Sequence, residues 1–168
     1  MQRILVAYAT KAGATQGVSE LIGRELGAGG ASVEVLPAAD VQDVAGYDAV
    51  VIGSGIRMGQ WYSEALDLVS AHAAALSTKP VAYFVVCGTM RERTGENRET
   101  VLGYFDQVQK RAPEVDPVDV GLFAGAIDPS KLGFAARLIL KATKAELGDW
   151  RDWDAIQAWA AELLHKLA

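Results

Sequence analysis

The segment Thr10-Lys11-Ala12-Gly13-Ala14-Thr15 gathers two hydroxyls, a lysine and a glycine within six positions. An apolar run, Arg3–Tyr8, precedes it. A helical period follows from Thr15, with Val18, Leu21, Ile22 and Leu26 at i, i+3, i+4 and i+8. The segment therefore opens a helix, whose first N–H groups lack intrahelical acceptors and carry the positive end of the dipole. A phosphate placed there gains several backbone hydrogen bonds. Gly13 lets the backbone approach closely, Thr10 and Thr15 add hydroxyl donors worth roughly 1 kcal/mol each net, and Lys11 adds a point charge. The plainer reading is that Thr15 caps the helix and Gly13 turns the chain. Neither GxxxxGK[ST] nor GxGxxG is present, and the second strand ends Val35-Leu36-Pro37, with no acidic residue for a ribose. A monophosphate is the better guest than a triphosphate or a dinucleotide.

Two further segments follow apolar runs. Ser54–Trp61 comes after Asp48–Gly53, and Cys87–Gly95 comes after Pro80–Cys87. Both are rich in glycine, hydroxyls or both. Cys87 ends a buried strand and has no resolving partner, so it reads as a small core hydrophobe rather than a redox thiol. The stretch Met90–Arg98 is dense in charge and reads as a solvated loop or as a rim that admits a partner. His72 and His165 fall on amphipathic helices and receive no role.

The elements that must position these segments alternate. Strands are expected at Arg3–Tyr8, Ser32–Leu36, Asp48–Gly53, Pro80–Cys87 and Val118–Ile127. Helices are expected from Thr15 to the Gly27-Ala28-Gly29-Gly30 stop, and over Tyr62–Leu76, Arg93–Arg111, Lys131–Lys144 and Asp152–Leu167. The second and third strands are joined by no more than a turn near Val41–Val44. Such alternation implies an α/β fold, with parallel strands, right-handed crossovers and helices on both faces. Ligands on such sheets bind beyond the carboxyl ends of the strands, where the three segments above converge if the first, third and fourth strands are neighbours.

Composition agrees. The chain has 168 residues, 51% hydrophobic and 22% charged, with a formal charge of −5. That suits one globular domain, 1–168, and argues against nucleic acid as a partner. One cysteine and two histidines offer neither an internal disulfide nor zinc-site spacing. The N-terminus lacks signal-peptide features, and no apolar stretch is long enough to span a bilayer. The expected location is cytoplasmic, or peripheral at a membrane. Arg137, Lys141 and Lys144 form a basic stripe on the 131–144 helix, beside Leu132, Phe134, Leu138 and Ile139. Packing of that helix on the sheet is favoured over contact with an anionic membrane surface.

Thr10, Gly13 and Thr15 form a T-x-x-G-x-T loop that resembles the phosphate loop of the flavodoxin superfamily, with Ala12 where a third hydroxyl is usual. Tyr47-Asp48-Ala49-Val50-Val51-Ile52-Gly53-Ser54-Gly55-Ile56-Arg57-Met58-Gly59 resembles the YDxVVIGxxIRxG segment of flavodoxin-domain proteins related to menaquinone-dependent protoporphyrinogen oxidase. Phe123-Ala124-Gly125-Ala126-Ile127, a basic helix and then Asp152-Trp153 are also similar to that family. The resemblance covers nearly the whole chain. It implies a flavodoxin-like three-layer sandwich around a five-stranded parallel sheet in the order 2-1-3-4-5, close to a minimal flavodoxin, with no insertion inside the fifth strand.

The resemblance also implies flavin mononucleotide (FMN), its phosphate on Thr10, Lys11, Ala12, Gly13, Ala14 and Thr15, and its ring between Ser54-Gly55-Ile56-Arg57-Met58-Gly59 and Cys87-Gly88-Thr89-Met90. Redox chemistry would then reside in the flavin, with the protein positioning and tuning it. Trp61 reads either as a ring-stacking residue or as core, and Met90 as an apolar contact on the other face. No aromatic residue closely follows the fourth strand, so a two-aromatic sandwich is not expected. Arg57 is the expected catalytic residue, its planar fork suited to a carboxylate or an anionic flavin. The leading function is an FMN-dependent oxidoreductase or electron carrier, protoporphyrinogen-oxidase-like with a quinone acceptor. The competing one is a flavodoxin-like interaction module that no longer binds flavin. A phosphorelay receiver is disfavoured, because Ala9-Thr10-Lys11 and Gly53-Ser54-Gly55 stand where it needs acidic residues and a phosphorylatable aspartate.

Overall fold

The computed structural model describes residues 1–131, 133–143 and 147–168. Its centre is a parallel sheet of five strands: β1 (Arg3–Ala9), β2 (Ser32–Pro37), β3 (Ala49–Arg57), β4 (Val81–Cys87) and β5 (Asp119–Ala124). The order is β2-β1-β3-β4-β5, and every neighbouring pair is parallel. This is the 2-1-3-4-5 order that the resemblance to flavodoxins implies, and it accords with the alternation of elements.

Side chains on a strand alternate between faces, and both faces of this sheet are covered. Ile4, Val6, Val51 and Phe84 pack on one face against Val18, Ile22 and Leu26 of α1 (Ala14–Ala28) and Ile156, Ala160 and Leu163 of α7 (Trp153–Leu167). Leu5, Ala7, Val50, Ile52, Tyr83 and Val85 form the other core. There they meet α2 (Ser63–Ala71), α3 (Ala73–Leu76), α4 (Gly95–Gly103) and α5 (Phe105–Arg111). Burial on both sides explains the unbroken apolar runs in β1, β3 and β4.

Several boundaries differ from the sequence reading. The Tyr62–Leu76 helix breaks at His72, whose φ of −117° and ψ of 18° leave the helical region. The Arg93–Arg111 helix begins only at Gly95, where the Thr94 hydroxyl accepts the Asn97 N–H at 3.1 Å, and it divides at Tyr104. A 3₁₀ turn over Ala38–Asp40, not Val41–Val44, leads out of β2. β3 runs on to Arg57 and doubles back through a hairpin onto Gln60–Trp61, a short antiparallel addition to the five parallel strands.

The fifth strand is also shorter than expected. β5 ends at Ala124, and Ala126–Ile127 leaves the sheet to pair with Gly148–Asp149 in a separate antiparallel ribbon. The ribbon brackets an excursion that contains a 3₁₀ turn, Pro129–Lys131, and α6 (Phe134–Thr143). The expected packing of this helix on the sheet is not found. Phe134 is 74% exposed, Leu138 51% and Ile139 57%, with Arg137 and Lys141 exposed beside them. Leu132 and Lys144 lie outside the described residues. No helix among the described residues is long and apolar enough to cross a membrane.

Candidate functional site

Parallel register brings the carboxyl ends of four strands to one edge. Ala9 faces Ser54, Gly55 faces Val86, and Cys87 faces Ala124. The loops that leave these ends surround two adjoining cavities of about 340 and 240 Å³, which share Ala12, Ala14, Ala126 and Ile127. Together they match the size range of small-molecule sites, ~300–1,000 Å³.

The first loop is built as the sequence suggests. Gly13 sits in the left-handed region at φ 86°, ψ −6°, and forms the N-cap of α1. A glycine adopts that conformation at little cost. Its N–H donates to the Thr10 hydroxyl at 3.0 Å, which closes the loop. The first amides of α1 therefore open toward the cavities without intrahelical acceptors. Thr15 is buried and lines the smaller cavity. Lys11 behaves otherwise. Its ammonium pairs with Glu64 at 2.7 Å and lies over the Tyr62 ring, so its charge is directed at the start of α2. That hydrogen bond is the main reason the Glu64 carboxyl is held below its ordinary range.

The second loop separates into structural and cavity-lining residues. Ser54 is fully buried; its hydroxyl accepts the Tyr62 N–H at 3.0 Å and donates to the Gly55 carbonyl at 2.6 Å. It holds the strand end rather than lining the cavity. Gly55, Ile56 and Arg57 do line it. A side chain at Gly55 would put its Cβ 2.9 Å from Tyr62 Cε2 and 3.1 Å from Thr15 Oγ1, so the close packing of β3, α1 and Tyr62 requires glycine. Met58 and Gly59 occupy the hairpin tip, at φ 52° and 74°, and Met58 is 91% exposed. Neither lines the cavities.

Trp61 is 3% exposed and packs edge-on against Tyr83 and Phe105, with ring centroids 6.1 and 5.7 Å apart. The structure thus places it in the core. The next residue, Tyr62, lines the cavity, and burial pushes its phenol pKa up. In the third loop, Cys87 and Gly88 line the cavity. Burial raises the Cys87 thiol pKa, which disfavours the thiolate. The Thr89 carbonyl accepts from the Asn97 amide at 3.2 Å, and Met90 is buried in the core, away from both cavities.

Two contributions escaped the sequence reading. The strand-end segment Gly125, Ala126 and Ile127 forms one wall. Trp150 and Leu140 reach the smaller cavity from the excursion, so two aromatic residues, Tyr62 and Trp150, line it after all. The Trp150 N–H donates to the Gly125 carbonyl at 3.0 Å, and Arg91 lies over its ring. Gly125 was the one signal available in the sequence; nothing local marks Trp150. No cluster of three or more potential metal ligands occurs among the described residues.

Comparison with known proteins agrees with this geometry. Residues 5–154 match the family model described as Flavodoxin domain. A relative named protoporphyrinogen IX dehydrogenase [quinone] from Leishmania major is 28% identical, over 95% of this chain and 74% of its own length. A protein of the same name from Escherichia coli strain K12 is 24% identical, over 97% of this chain and 95% of its own. Among solved structures, a short-chain flavodoxin associated with a bacterial microcompartment aligns over the full length of both chains, with a TM-score of 0.62 and 16% identity. A flavodoxin from the domain Archaea aligns over 98% of each chain, with a TM-score of 0.60 and 16% identity. The sheet order, the loop at the head of α1 and the match over nearly the whole chain agree: this protein belongs to the flavodoxin domain family.

Proposed function

We propose that the protein is an FMN-binding oxidoreductase that takes electrons from a protoporphyrinogen-like donor and passes them to a quinone. The observation that carries this reading is the join between two unlike cavities at one sheet edge. One is polar and headed by the amides of α1 and left-handed Gly13; the other is lined by Gly55, Tyr62, Cys87, Gly125 and Trp150. A phosphate fits the first and a flat apolar ring the second, which is the division of chemistry within FMN. When bound, a flavin supplies reversible two-electron chemistry that no side chain in this site can supply.

The chain's own residues then have distinct tasks. Loop 10–15 binds the phosphate through the main-chain amides at the head of α1, with the Thr10 and Thr15 hydroxyls on the side of the adjoining ring cavity. Tyr62 and Trp150 bury the ring and exclude water. Arg57, exposed at the mouth, receives a substrate carboxylate as a planar, permanently charged fork. The quinone acceptor is supported by the names of the two relatives. A lipid-borne quinone also suits the outward side of α6, whose apolar residues and cations would rest on an anionic bilayer while Leu140 faces the cavity.

Titration with FMN, followed by turnover with a porphyrinogen and a naphthoquinone, tests the reading. Saturable FMN binding that Thr15→Ala weakens and Gly13→Val weakens more is expected. Arg57→Ala should leave FMN affinity unchanged and lower kcat/KM for the porphyrinogen about tenfold or more. A chain that folds yet binds no flavin would leave the interaction-module reading in its place.

A further inference from the structure

We propose that Lys131, carried by the turn after the fifth strand, is the counter-charge for the phosphate held by loop 10–15, in place of Lys11. The inference rests on the FMN reading above and adds a residue from a distant part of the chain. A Cβ built on Gly13 would lie 3.7 Å from Lys131 Cδ and 3.8 Å from its ammonium nitrogen. The ammonium therefore stands directly over the glycine that opens α1, and both residues line the same 340 Å³ cavity.

The other charges around that cavity already have partners. Asp149 accepts from Arg151 Nε at 2.9 Å and from its Nη2 at 2.6 Å. Asp128 accepts from the Ser130 N–H at 3.0 Å and the Ser130 hydroxyl at 2.7 Å, and the Lys131 charge acts on its carboxylate only through space, without an ion pair. Arg151 also donates to the Ala14 carbonyl at 3.4 Å and stacks on Trp153. Lys11, the cation adjacent in sequence, is bound to Glu64. Lys131 has no ion pair among the described residues. A dianion brought to the helix N-terminus would meet its ammonium first and form a charge-assisted hydrogen bond. Ala12, where a third hydroxyl is usual, removes one neutral donor, which leaves more of the phosphate to this cation.

The experiment compares FMN with riboflavin, which lacks the phosphate, by flavin fluorescence titration of the wild type, Lys131→Met, Lys131→Arg and Lys11→Met. Thermal melting of each variant establishes that it folds. The expected result is a loss of FMN affinity of about 10- to 100-fold in Lys131→Met, with riboflavin affinity unchanged. Lys131→Arg should restore most of the loss, and Lys11→Met should cost less than threefold. Inorganic phosphate should compete with FMN in the wild type and more weakly in Lys131→Met. Equal FMN affinity in wild type and Lys131→Met would overturn the assignment, as would an equal loss for both flavins or an equal loss in Lys11→Met. A wild type that takes neither flavin defeats the FMN reading itself, and this inference with it.

Discussion

Gly13 and Met58 both hold left-handed backbone, and their chemistry meets it differently. Gly13 has no side chain to clash, and its conformation aims the α1 amides at the cavity. Met58 reaches φ 52° at the tip of the β3 hairpin, next to Gly59 at φ 74°. Two consecutive positive φ values suit the tight turn of a two-residue hairpin, where asparagine before glycine is preferred. A methionine there is strained by its Cβ. With 91% of Met58 exposed, no packing offsets the strain. Met58→Asn is therefore expected to stabilise the fold by roughly 0.5–1 kcal/mol, which raises Tm by about 1–4 °C in a domain of this size. A melting curve unchanged or lowered by the substitution would show that the turn is not strained. The exchange of Trp61 for Tyr62 at the cavity is also a residue-scale matter. Neighbouring residues on an extended segment face opposite ways, and the Ile56–Trp61 pairing turns the indole into the core.

At the scale of elements, the β3 hairpin is held from outside itself. Gln107 on α5 donates to the Gly59 carbonyl at 2.7 Å, and its side-chain carbonyl accepts the Trp61 N–H at 2.9 Å. One side chain thereby fixes the tip and the returning arm of the hairpin that carries Arg57. Gln107→Ala removes both bonds and should destabilise the fold by about 1–3 kcal/mol. It should also lower Tm by roughly 2–10 °C. Unfolding that coincides with the wild type would show the clamp to be dispensable. The second element is α6. Between Asp128 and Glu146 the chain has no acidic residue, although its formal charge is −5. Phe134, Leu138 and Ile139 are exposed beside Arg137 and Lys141. Co-sedimentation with vesicles containing anionic lipid is expected, with little binding to neutral vesicles or in high salt. Leu138→Asp should abolish it. Equal binding to neutral and anionic vesicles, or none to either, would remove the membrane surface as the partner of this helix.

For the whole molecule, the pH response follows from its carboxylates. Glu64, Asp149 and Asp152 are all held below their ordinary values: Glu64 by Lys11, Asp149 by Arg151, and Asp152 by the Ala155 N–H it caps and then by Arg93. In acid the native state thus binds fewer protons than the unfolded chain. The stability these groups contribute is complete above the unfolded carboxylate range, ~pH 5, and is lost as pH falls through their depressed native values. Thermal melting from pH 7 to pH 3 should show a nearly level Tm down to about pH 5 and a decline below it. A Tm that rises on acidification would contradict these assignments.

The five strands, α1 and the turn at its head were legible in the residues, because they depend on local patterns; the order of the strands came from the resemblance to flavodoxins. Apolar runs mark strands buried on both faces, a 3.6-residue period marks α1, and glycine between hydroxyls marks a turn at a helix head. Chain reversals and distant walls of the site were not legible. His72 and Tyr104 divide helices whose apolar period continues past them. Val118–Ile127 reads as one strand, yet Ala126–Ile127 pairs with Gly148–Asp149 and turns away from the sheet. That single departure brings Lys131, Leu140 and Trp150 to loop 10–15 from more than a hundred residues away. Periodicity and spacing determined the strands, the helices that alternate with them and the glycine turn at the head of α1, since these arise from contacts near in sequence. Only the tertiary structure decided which lysine stands over that helix head, which aromatics line the smaller cavity and which helix remains outside the core. Those outcomes depend on pairings between segments that carry no mark of each other in the chain.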